Sequence, residues 1–277
     1  MNASAGHDPA MQQAIDRAQR SFPYFWRELS WENRRVIPGL DFAAIKLPFP
    51  VSEDIQRSAD APAFEHMWVT AVEFDGHELK GTLMNDAHFI PALRVDVEVS
   101  APFDHLEDWM MVCQGVLCGG FTVQHIRASM FDAERKEHDE AWGQPFPDPQ
   151  LCNITPYEVK AEAPAKGLSR LWRKATPPPG LPFDEAMRLA AASEHPMSEN
   201  MHERITEDLQ EQPEMARTVF DDGWTLLQRD ALGGNVVPVA ALLAAGADRE
   251  ARTPAGDTAL DLAKRMGWPR VIAALQG

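Results

Sequence analysis

Basic residues are scarce in this chain: 26 lysines and arginines stand against 42 aspartates and glutamates, a net charge of −16 over 277 residues. A surface of that sign repels nucleic-acid phosphates and anionic lipid and suits a basic protein partner. Cysteine is nearly absent. Cys113, Cys118 and Cys152 are an odd number, which argues against a disulfide framework and for buried thiols. No apolar run reaches the about 18 residues that a membrane-crossing helix needs, and MNASAGHDPAMQQ has no charged-then-apolar leader pattern. The expected location is therefore cytoplasmic. A phosphate-binding loop, a serine-nucleophile elbow and a dinucleotide fingerprint are also missing, since Gly119-Gly120 is too short to count as one.

What is present is an ordinary globular composition. Apolar residues make up 44% and charged residues 25%, and the length allows two modest domains with cores of their own. Both halves share the acidity: residues 1–160 carry 13 basic and 25 acidic side chains, and residues 181–277 carry 9 and 16. Only 161–180 reverses the sign, with Lys166, Arg170, Arg173 and Lys174 against Glu162.

The chain opens on a helix. Asp8 is placed to cap it and Pro9 suits its first turn, with Met11, Ile15 and Ala18 at helical spacing and a break expected near Pro23. Phe22, Tyr24, Phe25 and Trp26 form an aromatic knot expected to pack on a sheet. Strand character follows at 41–51, then a polar loop at 52–63. Over 66–74, period two puts Met67, Val69, Ala71 and Glu73 on one face and Trp68, Thr70, Val72 and Phe74 on the other. Asp75-Gly76 should turn this strand into a partner at 77–84. Further strands are expected at 94–99, at 109–112 and in FTVQHIR, residues 121–127. The fold class that follows is α+β, a small antiparallel sheet, strongly curved or barrel-like, behind an N-terminal helix.

This block resembles a known family. HMWV, a hairpin through Gly-Thr-Leu-x-Asn, the Asp-Trp-Met-x-Val segment and GGFTVQHIR occur in the order found in the family catalogued as domain of unknown function 2314. The segment AERKEHDEAWGQPFPDP is similar to that family's tail, so the resemblance covers about residues 10–150. It implies a fold and no established reaction. One position departs from the pattern: a Gly-Asp is expected before the DVEV strand, and Val95-Asp96 stands there.

Residues 1–152 are thus read as the α+β domain and 153–182 as a Pro-rich basic linker, extended at Pro177-Pro178-Pro179. Residues 183–277 are read as an all-α domain, a helical cap followed by two repeats. Gly223-x-Thr225-x-Leu227 recurs as Gly256-x-Thr258-x-Leu260, 33 positions later, and Val239 and Leu243 answer to Val271 and Leu275. A 33-residue period of this kind resembles the ankyrin repeat. The first repeat departs from that pattern. It carries Gln228, Arg229 and Asp230 where the family usually has His-Leu-Ala, so either Arg229 faces another module or this repeat is distorted.

Chemical signals are thin. Cys113-x4-Cys118 without a second pair is no metal motif, so neither metal nor cofactor is expected. A nucleophilic Cys113 or Cys118 would need His105 or His125 held beside it. The ankyrin resemblance implies instead a contact surface on the turn tips and first helices: Asp221, Asp222, Trp224, Leu232, Arg252, Thr253, Asp257, Arg265 and Met266. Two functions fit. The first is a non-catalytic intracellular protein-binding protein, specifically an immunity-type inhibitor of a basic bacterial toxin, since this architecture resembles the immunity proteins of polymorphic toxin systems. No nucleic acid or membrane partner is expected. The second is an enzyme or small-ligand binder with the repeats as a targeting arm, which requires a concave site near Trp68, Asp108 and Trp109.

Overall fold

Helix α1 runs from Pro9 to Glu32 and passes through Pro23 without the expected break. Asp8 caps it, accepting a hydrogen bond from Ala10 N at 2.9 Å. A proline inside a helix forfeits one ladder bond. Burial of Ala18 and Phe22 before it and of Phe25 and Leu29 after it offsets that loss. The computed structural model describes residues 8–59, 61–157 and 180–277, so most of the expected linker, with its basic residues and triple proline, lies outside the described residues. The chain divides into two units, residues 1–25 with 38–190, and residues 26–37 with 191–277.

In the first unit α1 is followed by β1 (Leu40–Pro50), a short helix α2 (Glu53–Ala59), β2 (Phe64–Phe74), β3 (Glu78–Leu83), β4 (Glu98–Pro102), β5 (Asp108–Cys113) and β6 (Val116–Gly119). Helices α3 (Phe121–Ala128), α4 (Asp132–Trp142) and α5 (Phe183–Ala192) come next. The six strands form one antiparallel sheet in the order β4-β3-β2-β1-β5-β6. It is open, with β4 and β6 as edges, and not a closed barrel. Register sets its two faces. Ile45 lies opposite both Val69 and Trp109, all three without exposure, and this face meets α1. There the Trp109 ring sits 5.3 Å from Phe25, and its indole N–H donates to Ala18 O at 3.0 Å. Lys46 lies opposite both Trp68 and Asp108, on the other face. On that side Met110, Val112 and Leu117 pack under the half-buried Phe42, Trp68, Trp142 and Phe146.

Three local expectations are corrected. Residues 53–59 are helical, because Glu53 and Asp54 favour a helix start. The strand expected at 94–99 begins only at Glu98: Asp96 takes a left-handed conformation (φ 63°), which ends the preceding turn where the family pattern led us to expect Gly-Asp. The alternation in β2 also changes phase. Met67 and Val69 are buried, but beyond them it is Val72 and Phe74. Ala71 (φ 50°) sits in a β-bulge between Thr70 and Glu73, and one extra residue sends every later side chain to the opposite face. Phe74 thereby meets Phe22 at 5.1 Å.

The second unit joins the last turns of α1, from Trp26, to α6 (Pro196–Asn200), α7 (His202–Glu211), a 3-10 turn at Pro213–Arg217 and two helix pairs. The pairs are α8 (Leu226–Gly233) with α9 (Val236–Ala244), and α10 (Ala259–Met266) with α11 (Pro269–Gln276). Their helices repeat in detail. Thr225 with Gln228, and Thr258 with Asp261, make capping boxes at the two starts, and left-handed Gly234 (φ 72°) and Gly267 (φ 70°) end them. A polar network ties α1 to the first pair: Trp31 donates to Asn235 at 2.8 Å, Asn235 donates to Asp230 at 2.9 Å, and Arg34 pairs with Asp230 at 2.8 Å. No helix among the described residues is long and apolar enough to cross a membrane.

Two outcomes follow from these contacts. In Gly81→Ala, the new methyl would meet Val69 Cγ1 at 2.7 Å beside the bulge. We expect a lower urea midpoint, a loss of about 1–3 kcal/mol; an unchanged midpoint would mean that the bulge yields. The second concerns His195, stacked on Trp31 with ring centroids 5.5 Å apart. Its Nδ1 accepts from Met197 N, so Nε2 carries the proton and donates to Glu28 at 2.9 Å. Burial holds this imidazole below its ordinary 6.5, against the pull of Glu28. The folded unit therefore keeps its full stability above pH 6.5 and loses it on acidification, because the unfolded chain takes up the proton first. His195→Asn should flatten the fall in thermal midpoint between pH 7 and 5.

Candidate functional site

The turns between helix pairs recur with the repeat. Phe220 N bonds Trp224 O and Gly223 N bonds Phe220 O, both at 2.8 Å, while Val219 bridges Thr225. In the second copy Thr253 N bonds Asp257 O at 2.9 Å and Gly256 N bonds Thr253 O at 2.8 Å. Each glycine closes its turn at positive φ, 80° at Gly223 and 92° at Gly256. These short loops are closed by backbone hydrogen bonds, which sets the direction of the side chains they carry.

Of the nine residues expected on a contact surface, six have solvent exposure and three are buried. Asp221, Asp222, Arg252 and Arg265 are exposed, and Trp224 and Asp257 are half-buried. Leu232, Thr253 and Met266 are 2%, 4% and 6% exposed. Leu232 and Met266 end their helices on the packing side, and the Thr253 hydroxyl accepts from Asp257 N at 3.2 Å inside the turn. The charges are largely satisfied locally. Arg229 pairs with Asp222 and lies over the Phe220 ring at 5.4 Å, and Arg265 pairs with Asp257 at 2.8 Å. Arg229 is thus held by its own turn and the first repeat keeps its geometry, for Gln228 serves its capping box and Asp230 holds Asn235. Two residues were missed from sequence. Val219 and Phe220, 61% and 40% exposed, stand beside Asp221 as an apolar pair. The signal was there, two large apolar residues directly before Asp-Asp-Gly.

The cleft expected near Trp68, Asp108 and Trp109 is not formed. Trp109 and Asp108 have no exposure, and Trp68 faces the other side of the sheet from Trp109, packing edge-on to Trp142 at 6.1 Å. Asp108 instead holds the start of α3. Its carboxylate accepts from Trp109 N at 2.9 Å, Phe121 N at 3.0 Å, Thr122 N at 2.8 Å and Thr122 Oγ1 at 2.7 Å. Lys46 Nζ donates to the same Thr122 hydroxyl at 3.4 Å. Residues 121–128 are therefore a helix and not the expected strand. Gly119 (φ 76°) and Gly120 (φ 74°) make the turn from β6, and a methyl at Gly119 would strike the Trp109 backbone and ring. The cysteines are buried thiols, and His125 is engaged by Asp8 at 2.9 Å.

Desolvation pushes the Asp108 carboxyl up to about 6, against the hydrogen bonds from Thr122 and the charge of Lys46. A raised value means this group favours the fold most below pH 3.8 and loses that contribution as pH rises through about 6. Asp108→Asn leaves one donor facing an amide N–H and should cost about 1–3 kcal/mol at neutral pH. Its deficit in urea midpoint should grow between pH 7 and 5. A deficit that shrinks would mean that the four donors hold the carboxylate below its ordinary range.

Residues 8–146 match the family model described as "Uncharacterized protein conserved in bacteria (DUF2314)". A protein of Neisseria meningitidis serogroup B named "Putative ankyrin repeat protein" is 36% identical over 269 residues, spanning 97% of this chain and 94% of its own length. No solved structure matches the chain.

Proposed function

From a chain that belongs to the DUF2314 family, we propose that its work is to bind another protein through the turn edge of its repeats, without catalysis. The observation that carries this is the tip itself. Exposed Val219 and Phe220 and half-buried Trp224 stand among Asp221 and Asp222 on a hydrogen-bonded turn, and aromatic residues ringed by charge are the usual anchors of a protein interface. We read the repeating unit as ankyrin-type. Its 33-residue period, paired capping boxes and left-handed glycine ends support that reading, as does the name of the Neisseria relative.

The finer reading is an immunity-type inhibitor that neutralises a bacterial toxin in the cytoplasm. A chain of net charge −16 is suited to a basic catalytic cleft, toward which its field would steer association. The test is capture with the tagged full-length chain from its native host, at low and high salt, with the captured proteins identified by mass. One basic protein in near-equal amount, released at high salt, is expected. Phe220→Ala with Asp221→Lys should weaken that capture more than about tenfold with an unchanged circular dichroism spectrum; unchanged capture would place the interface elsewhere. The activity of the captured protein, assayed with and without this chain, then separates inhibition from binding alone.

A further inference from the structure

A pocket of about 190 Å³ opens between helices α1 and α3 of the first unit. It exists because the facing positions are small: Ala10 and Ala14 on α1, and Ala128 on α3. Its floor is apolar. Phe121 and Phe183 meet edge to face at 5.6 Å, and buried Cys152 lies beside them.

Gln13, Arg17, Gln124, His125 and Gln150 are the polar side chains that line it. Gln124 and His125 are committed, the first donating to Leu151 O at 3.1 Å and accepting from Arg127, the second held by the Asp8 carboxylate at 2.9 Å. Arg17, which lines the pocket, and Arg20, one turn on, lie over an aromatic ring instead. Their guanidinium carbons stand 5.5 and 5.2 Å from the Phe183 ring centroid. Neither makes an ion pair among the described residues, in a chain where acids outnumber bases 42 to 26. Where carboxylates are in such excess, two adjacent guanidiniums without one among the described residues mark a place where an anion can come from outside. A guanidinium offers a carboxylate two parallel donors, which an ammonium cannot.

We propose that this pocket binds a small carboxylate with one apolar ring or short chain, its acid group on Arg17 and Arg20 and its body on Phe121 and Phe183. The volume sets the size. Drug-sized ligands need about 300–1,000 Å³, so about 190 Å³ takes a single ring. The inference is independent of the protein-binding surface.

Phenylacetate is a suitable probe and phenylacetamide its neutral match, both titrated into the full-length chain by saturation-transfer NMR. We expect saturable binding of phenylacetate, and binding of the amide about tenfold weaker, the worth of one charge-assisted hydrogen bond. Arg17→Gln should erase that difference. Ala128→Leu, at an exposed position on the pocket wall, should abolish binding of both while keeping the wild-type thermal midpoint. No saturable binding of phenylacetate, equal affinity for acid and amide in the wild type, or unchanged affinity in Ala128→Leu would each overturn the assignment. Arg17 is exposed, so its variant keeps the test decisive even if Ala128→Leu fails to fold.

Discussion

A carboxylate with no access to water is costly unless donors meet it, and four donors converge on Asp108. Much of the first unit is arranged around that requirement. β5 has to place Asp108 beneath the start of α3 while turning the adjacent Trp109 to the opposite face, where its indole anchors α1. Gly119 and Gly120 have to be glycines so that β6 can turn into α3 directly over the carboxylate. Thr122 then links the carboxylate to Lys46, which extends the cap across to β1. One buried charge thus fixes the sheet, the helix on its edge and the helix on its face in a single register.

The second unit meets a different constraint. Two repeats bury too little apolar surface to stand alone, and here the missing layer includes the end of a helix that begins in the other unit. What that helix brings is polar as well as apolar. Trp31, Asn235, Asp230 and Arg34 form one chain of hydrogen bonds, and His195 and Glu28 form another beside it. Buried polar networks of this kind contribute little net stability, but a partly satisfied one is expensive. They admit one alignment of α1 against the first repeat and penalise the others.

Features set by neighbours in sequence were legible before the structure was seen. The Asp75-Gly76 hairpin, the Asp8 cap and the 33-residue recurrence all depend on residues within one turn or one period. Features set at a distance were not. FTVQHIR reads as a strand on its Phe, Thr and Val, and becomes a helix because a carboxylate 13 and 14 residues earlier caps it. Period two separates Val69 from Val72 and Phe74, yet all three are buried on one side, since nothing local announces the bulge at Ala71; its counterpart is Gly81 on the next strand, where a side chain would collide with β2. On the repeats Gly223 and Gly256 stand in turns, whereas Leu232 and Met266, expected on the outer face, are buried. Each lies in the last turn of its helix, where a small error in angle moves a residue from surface to core. Val219 and Phe220 were passed over because large apolar residues are read first as core.

The arrangement of charge at the repeat tips bears on how such a surface would work. Asp222 is paired with Arg229 and Asp257 with Arg265, so these local acids are partly neutralised where a partner would touch them. Any attraction for a basic protein would then come less from individual tip pairs than from the summed field of the whole acidic chain. That field acts before contact, over about a Debye length of 8 Å at physiological salt, and raises the rate of encounter. Once contact was made, desolvation of Val219, Phe220 and Trp224 would add to that field in holding a partner. High salt would screen the field and leave the apolar contact alone, which on so small an edge would be too weak to keep the partner.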